Sequence, residues 1–223
     1  PVLLGALERN EKTNPRFDRP ISILKDWDFK TSKESVAMTL AHYYGTNFFK
    51  IGQRPEGLSS MELMKYWGGA ETPYAEKLQV FLVTLLELEE KFGTWEIPWG
   101  EVNRYQRLNG NIRQVFDDEK PSIAIGFASG RWGALAAYGA RYTAEGAKKI
   151  YGTRGNSFVA AVEFGEKIKA KTILAGGQSG NPDSPHFDDQ IQMYADIQWK
   201  DAAFYREDVI KRAKEIYQPG KRE

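Results

Sequence analysis

The sequence of 223 residues contains no cysteine and only two histidines, His42 and His186. The absence of cysteine excludes disulfides, thiol nucleophiles and thiolate metal sites. Two histidines cannot supply a histidine-rich metal centre, so no metal site is predicted. No apolar run approaches the roughly 20 residues that a membrane-spanning helix needs. A net charge of +1 gives no field for general binding to nucleic acid or to a membrane surface, and neither partner is expected.

The other composition values are those of a globular protein, with 41 % hydrophobic and 27 % charged residues. A chain of this length can form one large domain or two small ones. The chain starts at Pro1 rather than Met, and residues 2–8 resemble the end of a packed helix rather than a signal peptide. We therefore expect it to begin partway through a larger protein, the alternative being a trimmed terminus.

Residues 1–95 carry helical signals and are predicted to form a helical lobe. The most regular apolar stripe runs from Tyr74 to Phe92 and ends at Gly93, which predicts a helix of about 20 residues. Start signals precede three apolar stripes, either as a capping box or as an N-cap followed by a first-turn proline. They are Thr31 with Glu34, Ser59 with Glu62, and Thr72 with Pro73.

Residues 96–223 are predicted to be rich in strands and to end in a helix over 205–217. The aromatic stretch TWEIPWGEVNRYQRLNG, residues 94–110, predicts no helix. Gly165-Glu166-Lys167 has the composition of a hairpin turn between two strands. Helices followed by strands indicate the α+β fold class. The predicted strands are residues 121–127, 132–138, 157–164 and 170–175.

The segment GGQSGNPDSPHFDDQIQMY, residues 176–194, has two interpretations. In the first, His186 is a general base or a ligand with Asp188 or Asp189 as its partner, which requires a second positioned group or a nucleophile. In the second, the prolines and polar residues build consecutive turns, Asp188 caps the segment that follows, and the imidazole packs across the turns. The second interpretation is favoured, because a lone histidine beside prolines is a weak catalytic signal.

Glu163 lies within the apolar alternation RGNSFVAAVEFG, residues 154–165. A carboxylate between Val162 and Phe164 could orient a histidine elsewhere or be partly desolvated and functional. The alternative is a solvent-facing residue of a half-buried hairpin, and the period of two slightly favours it.

The six tryptophans raise the possibility of a non-catalytic module that binds carbohydrate or a protein partner through exposed aromatic side chains. Trp27 and Trp67 lie within helical patterns and are predicted to be in the core. Trp95, Trp99 and Trp132 flank loops, and the sequence leaves their role open.

Four stretches together resemble, in this order, the C-terminal part of the penicillin acylase family, and within it the aculeacin and acyl-homoserine-lactone acylase branch. The likeness covers about residues 20 to 210 and is most specific in the last third. The stretches are ILKDWDFKTSKESVAMTLAHYY, EIPWGEVNRYQRL, RGNSFVAAVEFG and GGQSGNPDSPHFDDQIQMYADIQWKDAAFYREDV.

The resemblance implies an N-terminal-nucleophile hydrolase that cleaves N-acyl amide bonds without metal or cofactor. In that family a serine at the start of the large chain attacks the amide, and its own α-amine serves as the base. The matching motifs here belong to the final third, so the nucleophile is expected upstream of this chain and the chain alone is expected to be inactive. Glu163 is the one position implied as a supporting catalytic residue.

The resemblance also implies a fold, partners and a compartment. The strands of residues 96–223 are expected to complete part of an αββα sandwich. The expected partners are the remaining part of the acylase and a small acyl amide substrate. The expected compartment is periplasmic or extracellular. Strands removed from a larger sandwich leave an unpaired face or edge, so the isolated chain is expected to self-associate.

Overall fold

A computed structural model describes residues 14–218 and 220. It contains both helices and sheets, and the α+β prediction is confirmed. The chain divides into two compact units, residues 1–106 with 117–153, and residues 107–116 with 154–223. The expected helix end at residues 2–8 lies outside the described residues.

Among the described residues, five α-helices belong to the first unit, and most of them come early in the chain. The helix α4 is the longest, with 19 residues. The helices are α1 (Asp18–Lys25), α2 (Val36–Ile51), α3 (Ser60–Gly68), α4 (Tyr74–Phe92) and α5 (Trp99–Val102).

The structure confirms one predicted capping box and corrects another. The side chains of Ser59 and Glu62 cap α3 reciprocally, as the spacing predicts. The capping box predicted at Thr31 and Glu34 is wrong, because α2 begins at Val36 and the Ser35 hydroxyl accepts a hydrogen bond from the Met38 amide at 3.0 Å. The Glu34 carboxylate instead accepts from Ser32 at 2.5 Å, within a segment that is not helical.

The long helix α4 was predicted correctly at its C-terminal end but not at its cap. It ends at Gly93, whose φ of 77° places it in the left-handed region that glycine tolerates best. The predicted N-cap Thr72 does not cap it. The Thr72 hydroxyl donates to the Tyr66 carbonyl at 2.9 Å, so it ties the end of α3 to the start of α4.

The core of the first unit lies mainly between α2 and α4. Asn47 and Thr84 form a polar pair between these helices: both side chains are buried, and the Asn47 side-chain amide donates to the Thr84 hydroxyl at 3.1 Å. The main cluster of buried apolar residues comprises Phe17, Ile21, Met38, Leu40, Tyr43, Phe81, Leu85, Leu88, Trp99, Val102, Ala128 and Ile150.

The short helix α5 arises where the sequence predicts no helix. The Trp99 amide donates to the Ser35 carbonyl at 3.1 Å, and the Gly100 amide donates to the Lys33 carbonyl at 2.7 Å. These bonds to a distant segment satisfy the free amides at the start of α5. Tertiary contacts therefore support a turn of helix that has little local signal.

The four-stranded sheet of the first unit is smaller than predicted. Only two residues of the predicted strand 121–127 are in a strand, and residues 130–132 form a 3-10 turn that ends at Gly133 with φ 81°. The sheet order is β2-β1-β4-β3, with β1 antiparallel to β2 and parallel to β4. The strands are β1 (Asn103–Tyr105), β2 (Ile123–Ala124), β3 (Tyr138–Arg141) and β4 (Ile150–Gly155).

The second unit contains the predicted hairpin. Strands β5 (Phe158–Glu163) and β6 (Lys169–Leu174) pair antiparallel, with Phe158 opposite Leu174 and Glu163 opposite Lys169. Strand β7 (Lys200–Asp201) pairs with β6. Helix α6 (Ile191–Ala195) follows the turn-rich segment. The terminal helix, predicted over 205–217, is shorter: α7 spans Arg206–Arg212 and buries no residue.

None of the described helices combines the length and the apolar character that crossing a membrane requires.

Candidate functional site

The segment of residues 176–194 is built from consecutive turns, as the favoured interpretation predicts. Three side chains accept hydrogen bonds from amides two residues later. The Ser179 hydroxyl accepts from the Asn181 amide at 3.1 Å, the Asn181 carbonyl oxygen accepts from Asp183 at 3.1 Å, and the Ser184 hydroxyl accepts from His186 at 3.2 Å. Such local bonds replace the backbone bonds of regular structure.

Backbone hydrogen bonds close these turns into a bracket, a name we use for residues 176–190. The Ser179 amide donates to the His186 carbonyl at 3.0 Å, and the Gln190 amide donates to the Gly176 carbonyl at 2.9 Å. A Cβ on Gly177 would lie 2.2 Å from the His186 carbonyl oxygen. Only glycine permits this approach of two backbone segments.

Arg107 connects two parts of the bracket. Its guanidinium donates to the Phe187 carbonyl oxygen, and its second terminal nitrogen donates to the Ser179 carbonyl oxygen at 2.9 Å. The guanidinium carbon lies 4.1 Å from the centre of the Phe187 ring, close enough for a cation–π contact. The sequence pattern alone assigns Arg107 no role, because its partner Ser179 lies 72 residues away in the chain.

The His186 side chain does not pack across the turns, and that expectation is wrong. It is 67 % exposed, and its Nδ1 lies 3.0 Å from the Asp189 carboxylate. The buried aromatic residue of the bracket is Phe187, which is 5 % exposed. Asp188 also does not cap α6 with its side chain, since the N-cap position is Gln190 and no side-chain bond caps that helix.

The His186–Asp189 pair has the geometry to orient an imidazole. A nucleophile is missing, because in the described residues neither serine hydroxyl of the segment is hydrogen-bonded to the His186 ring, whose Nδ1 meets Asp189. The bracket therefore fixes the course of the backbone between β6 and α6. The Gln190 side chain adds to this role by accepting from the Leu174 amide at 3.3 Å.

Glu163 lies at the end of β5, and its side chain is 69 % exposed. Its carboxylate is 3.2 Å from the Lys169 ammonium on the paired strand, a cross-strand ion pair of the kind that stabilises hairpins modestly. Phe158 and Phe164 of the same segment are 56 % and 82 % exposed. The hairpin is thus more open to solvent than the half-buried strand that the alternation predicts.

The tryptophans that the sequence left open lie largely in the interior. Trp99 is 1 % exposed, and its indole nitrogen donates to the Phe127 carbonyl at 3.1 Å. Trp95 packs against the main core cluster. Trp67, predicted to be in the core, is 5 % exposed. These side chains cannot form an exposed carbohydrate platform. Trp132 is partly buried and lies beside Phe49, with ring centres 6.3 Å apart.

Within residues 14–218 and 220, no three His, Asp or Glu side chains converge on a point that could hold a metal ion.

The family model described as penicillin amidase matches residues 1–211. The chain belongs to the penicillin amidase family. The match includes the bracket, Arg107, Glu163 and the helical lobe. The resemblance that the four sequence stretches indicate is thereby confirmed at the level of the family. Among proteins with curated functions, none matches the chain.

Among solved structures, the chain is similar to the thermostable penicillin G acylase from Alcaligenes faecalis. The two are 15 % identical in sequence, with a TM-score of 0.45. The similarity covers 96 % of this chain and 44 % of the acylase chain. The chain therefore spans less than half the length of that penicillin amidase relative.

Proposed function

We propose that the chain is part of an amidohydrolase that cleaves N-acyl amide bonds in small molecules such as β-lactams or acyl-homoserine lactones. The observation that carries the proposal is the family match over residues 1–211. Hydrolysis would proceed without metal or cofactor, by attack of an N-terminal serine from a segment outside this chain. The compartment proposed with this function is periplasmic or extracellular.

The proposed role of this chain is to complete and support the catalytic sandwich. The bracket supports this role because it fixes a loop through backbone bonds and the Arg107 guanidinium. The proposed partner is the remaining part of the acylase. Apolar side chains on one side of β5 favour such a partner, since Phe158 and Val162 are 56 % and 46 % exposed and exposed apolar surface marks interaction sites. Self-association of the isolated chain through the same side chains is the alternative proposal.

The test is to express the complete reading frame that encodes this chain and to compare it with the chain alone. We expect the complete protein to release free amine from an N-acylated substrate such as penicillin G or an acyl-homoserine lactone. The isolated chain is expected to release none, since in the described residues the His186 ring is bonded to Asp189 and the buried Nδ1 of His42 has no hydrogen-bond partner, so neither imidazole is paired with a hydroxyl nucleophile. Turnover by the isolated chain, or no turnover of any N-acyl amide by the complete protein, would contradict the proposal.

Glu163 is proposed as a supporting carboxylate of the complete enzyme. Its exposed side chain is accessible to a group from another segment. Glu163→Gln is expected to lower kcat/KM by at least about tenfold, toward the size of a lost acid or base contribution, and to change the melting temperature very little, because the ion pair with Lys169 that it breaks is exposed. The measurement is steady-state kinetics with thermal unfolding of the same preparation.

The matched control for this prediction is Glu166→Gln, which removes an equally exposed carboxylate from the turn of the same hairpin. It is expected to leave both kcat/KM and the melting temperature unchanged. Equal kinetics for the two variants would remove Glu163 from the proposed mechanism without affecting the family assignment.

A further inference from the structure

A cavity of about 470 Å³ lies in the first unit. Its walls come from α2, α3 and the 3-10 turn of residues 130–132. Met61 lines the cavity and is also 60 % exposed, so the cavity opens to solvent there. The walls are aromatic and thioether groups, contributed mainly by Phe48, Phe49, Met61, Met64, Trp67 and Trp132.

The walls of this cavity are held in place by packing. The Trp67 ring stacks on Phe48 with centres 5.5 Å apart and meets Phe49 edge-on at 4.8 Å. The Trp67 indole nitrogen donates to the Gln53 carbonyl at 2.7 Å. A Cβ on Gly45 would lie 2.6 Å from the Trp132 ring, so glycine at this position lets the indole lie directly against α2. A largely preformed apolar pocket of this kind is typical of small-molecule sites.

Three cationic side chains line the same cavity: Lys65, Lys77 and Arg131. Lys77 is already engaged, because its ammonium donates to the Gly69 carbonyl at 2.5 Å. The Arg131 guanidinium lies 4.8 Å from the Phe49 ring centre. In the part of the chain that the structure describes, neither Arg131 nor Lys65 forms a salt bridge.

The acidic side chain one turn from Lys65 is held by its own helix, although its charge still interacts with that of Lys65. Glu62, one turn before Lys65 on α3, caps its own helix through Ser59. An arginine has the planar donor geometry that binds a carboxylate through two hydrogen bonds. Apolar walls beside two cations free of salt bridges are complementary to a molecule with an apolar body and one negative charge.

We propose that this cavity binds a small amphipathic carboxylate, with its aromatic or alkyl body against Trp67 and Trp132 and its carboxylate on Arg131 and Lys65. An apolar cavity of about 150 Å³ holds a molecule of the size of benzene, so the volume here suits a ligand of up to roughly 18 non-hydrogen atoms. Binding at this cavity is independent of whether the complete protein hydrolyses amides.

The first experiment compares three ligands of one shape on the 223-residue chain by isothermal titration calorimetry at neutral pH and low salt. The ligands are 4-phenylbutanoate, 4-phenylbutan-1-ol and 4-phenylbutylamine. We expect the carboxylate to bind with a dissociation constant below about 1 mM. It should bind at least about tenfold more tightly than the alcohol, and the amine should bind most weakly.

The second experiment locates the site with variants. Arg131→Gln combined with Lys65→Gln should reduce the affinity for the carboxylate to that for the alcohol and leave the affinity for the alcohol unchanged. Lys120→Gln removes an exposed cation of the first unit that does not line the cavity and should change nothing. Gly68→Leu should weaken all ligands, because Gly68 lines the cavity and a Cβ there would meet no atom within 4 Å, which leaves room for the larger side chain at the cavity wall.

Two results would overturn the proposal. One is equal affinity for the carboxylate, the alcohol and the amine, or no binding of any of them. The other is carboxylate binding that the double variant and Gly68→Leu leave intact, which would place the ligand elsewhere. Melting curves of each variant show whether it folds, and if the double variant does not fold, the ligand series on the unaltered chain together with Gly68→Leu decides.

Discussion

Replacing Arg107 by methionine is expected to destabilise the second unit by about 3 kcal/mol and to open the bracket. The variant removes the donors to the Phe187 and Ser179 carbonyl oxygens and the contact with the Phe187 ring. Hydrogen bonds from charged donors contribute about 1.5 to 3 kcal/mol each, and a partly desolvated cation–π contact adds about 1 kcal/mol. The expected loss of stability is smaller than the sum of these contributions, because methionine retains apolar packing and water can hydrogen-bond to the freed carbonyl groups.

The measurement for Arg107→Met is amide hydrogen exchange resolved at Ser179 and Gln190, whose amides close the bracket. Both are expected to exchange on the order of a hundredfold faster, the factor that about 3 kcal/mol gives at room temperature. Arg107→Lys should recover only part of the protection, because an ammonium group lacks the planar fork that reaches two carbonyl groups at once.

The matched control is Arg113→Met, which removes an exposed arginine from the same loop of residues 107–116. It is expected to leave the exchange rates of both amides unchanged. Protection retained in Arg107→Met would mean that the backbone bonds alone hold the bracket.

The second large effect is a loss of stability in acid that depends on His42. Its ring lies 4.6 Å from Trp99 and 6.3 Å from Trp132, and among the described residues its buried Nδ1 has no hydrogen-bond partner. Burial of the imidazole, assisted by the positive charge of Lys50 and opposed by Glu87, lowers the pKa of His42 from 6.5 to about 4. The ring is therefore neutral in the folded protein at neutral pH.

A histidine with a lowered pKa in the folded state destabilises the fold as the pH falls. Between pH 6.5 and about 4 the unfolded chain binds a proton that the folded chain does not, so the free energy of unfolding decreases over this window and His42 has no effect above it. The free energy of unfolding falls by up to about 3 kcal/mol in total, and the whole loss is reached at a pH below the pKa of His42 in the folded protein. His42 is partly exposed, so about 3 kcal/mol is an upper limit for this loss.

The test compares urea unfolding of the unaltered chain and of His42→Phe from pH 7 to pH 4. The variant keeps an aromatic ring against Trp99 and removes the titrating group, so its stability should fall less steeply with decreasing pH. The matched control is His186→Phe, which makes the same replacement at the other histidine of the sequence, whose side chain is 67 % exposed. Equal slopes for the unaltered chain and His42→Phe would refute the assignment.

The sequence alone was sufficient where the cause of structure is local. The capping box at Ser59 and Glu62, the helix that ends at Gly93 and the hairpin of β5 and β6 follow from capping, glycine conformation and alternation within a few residues. The turns of the bracket also follow from short side chains that bond to nearby amides. The quoted stretches were specific enough to indicate the family, which the family match over residues 1–211 confirms.

Only the tertiary structure decided the features that depend on residues far apart in the chain. Arg107 meets a carbonyl 72 residues away, the amides of α5 meet carbonyl groups of residues 33 and 35, and the cavity joins α2 and α3 to the turn at Trp132. His42, whose environment the sequence does not predict, is partly buried among aromatic rings, and His186, which was expected to pack across the turns, faces solvent. No local pattern encodes these outcomes, because burial and pKa depend on the segments that fold against a residue, and those segments are distant in the sequence.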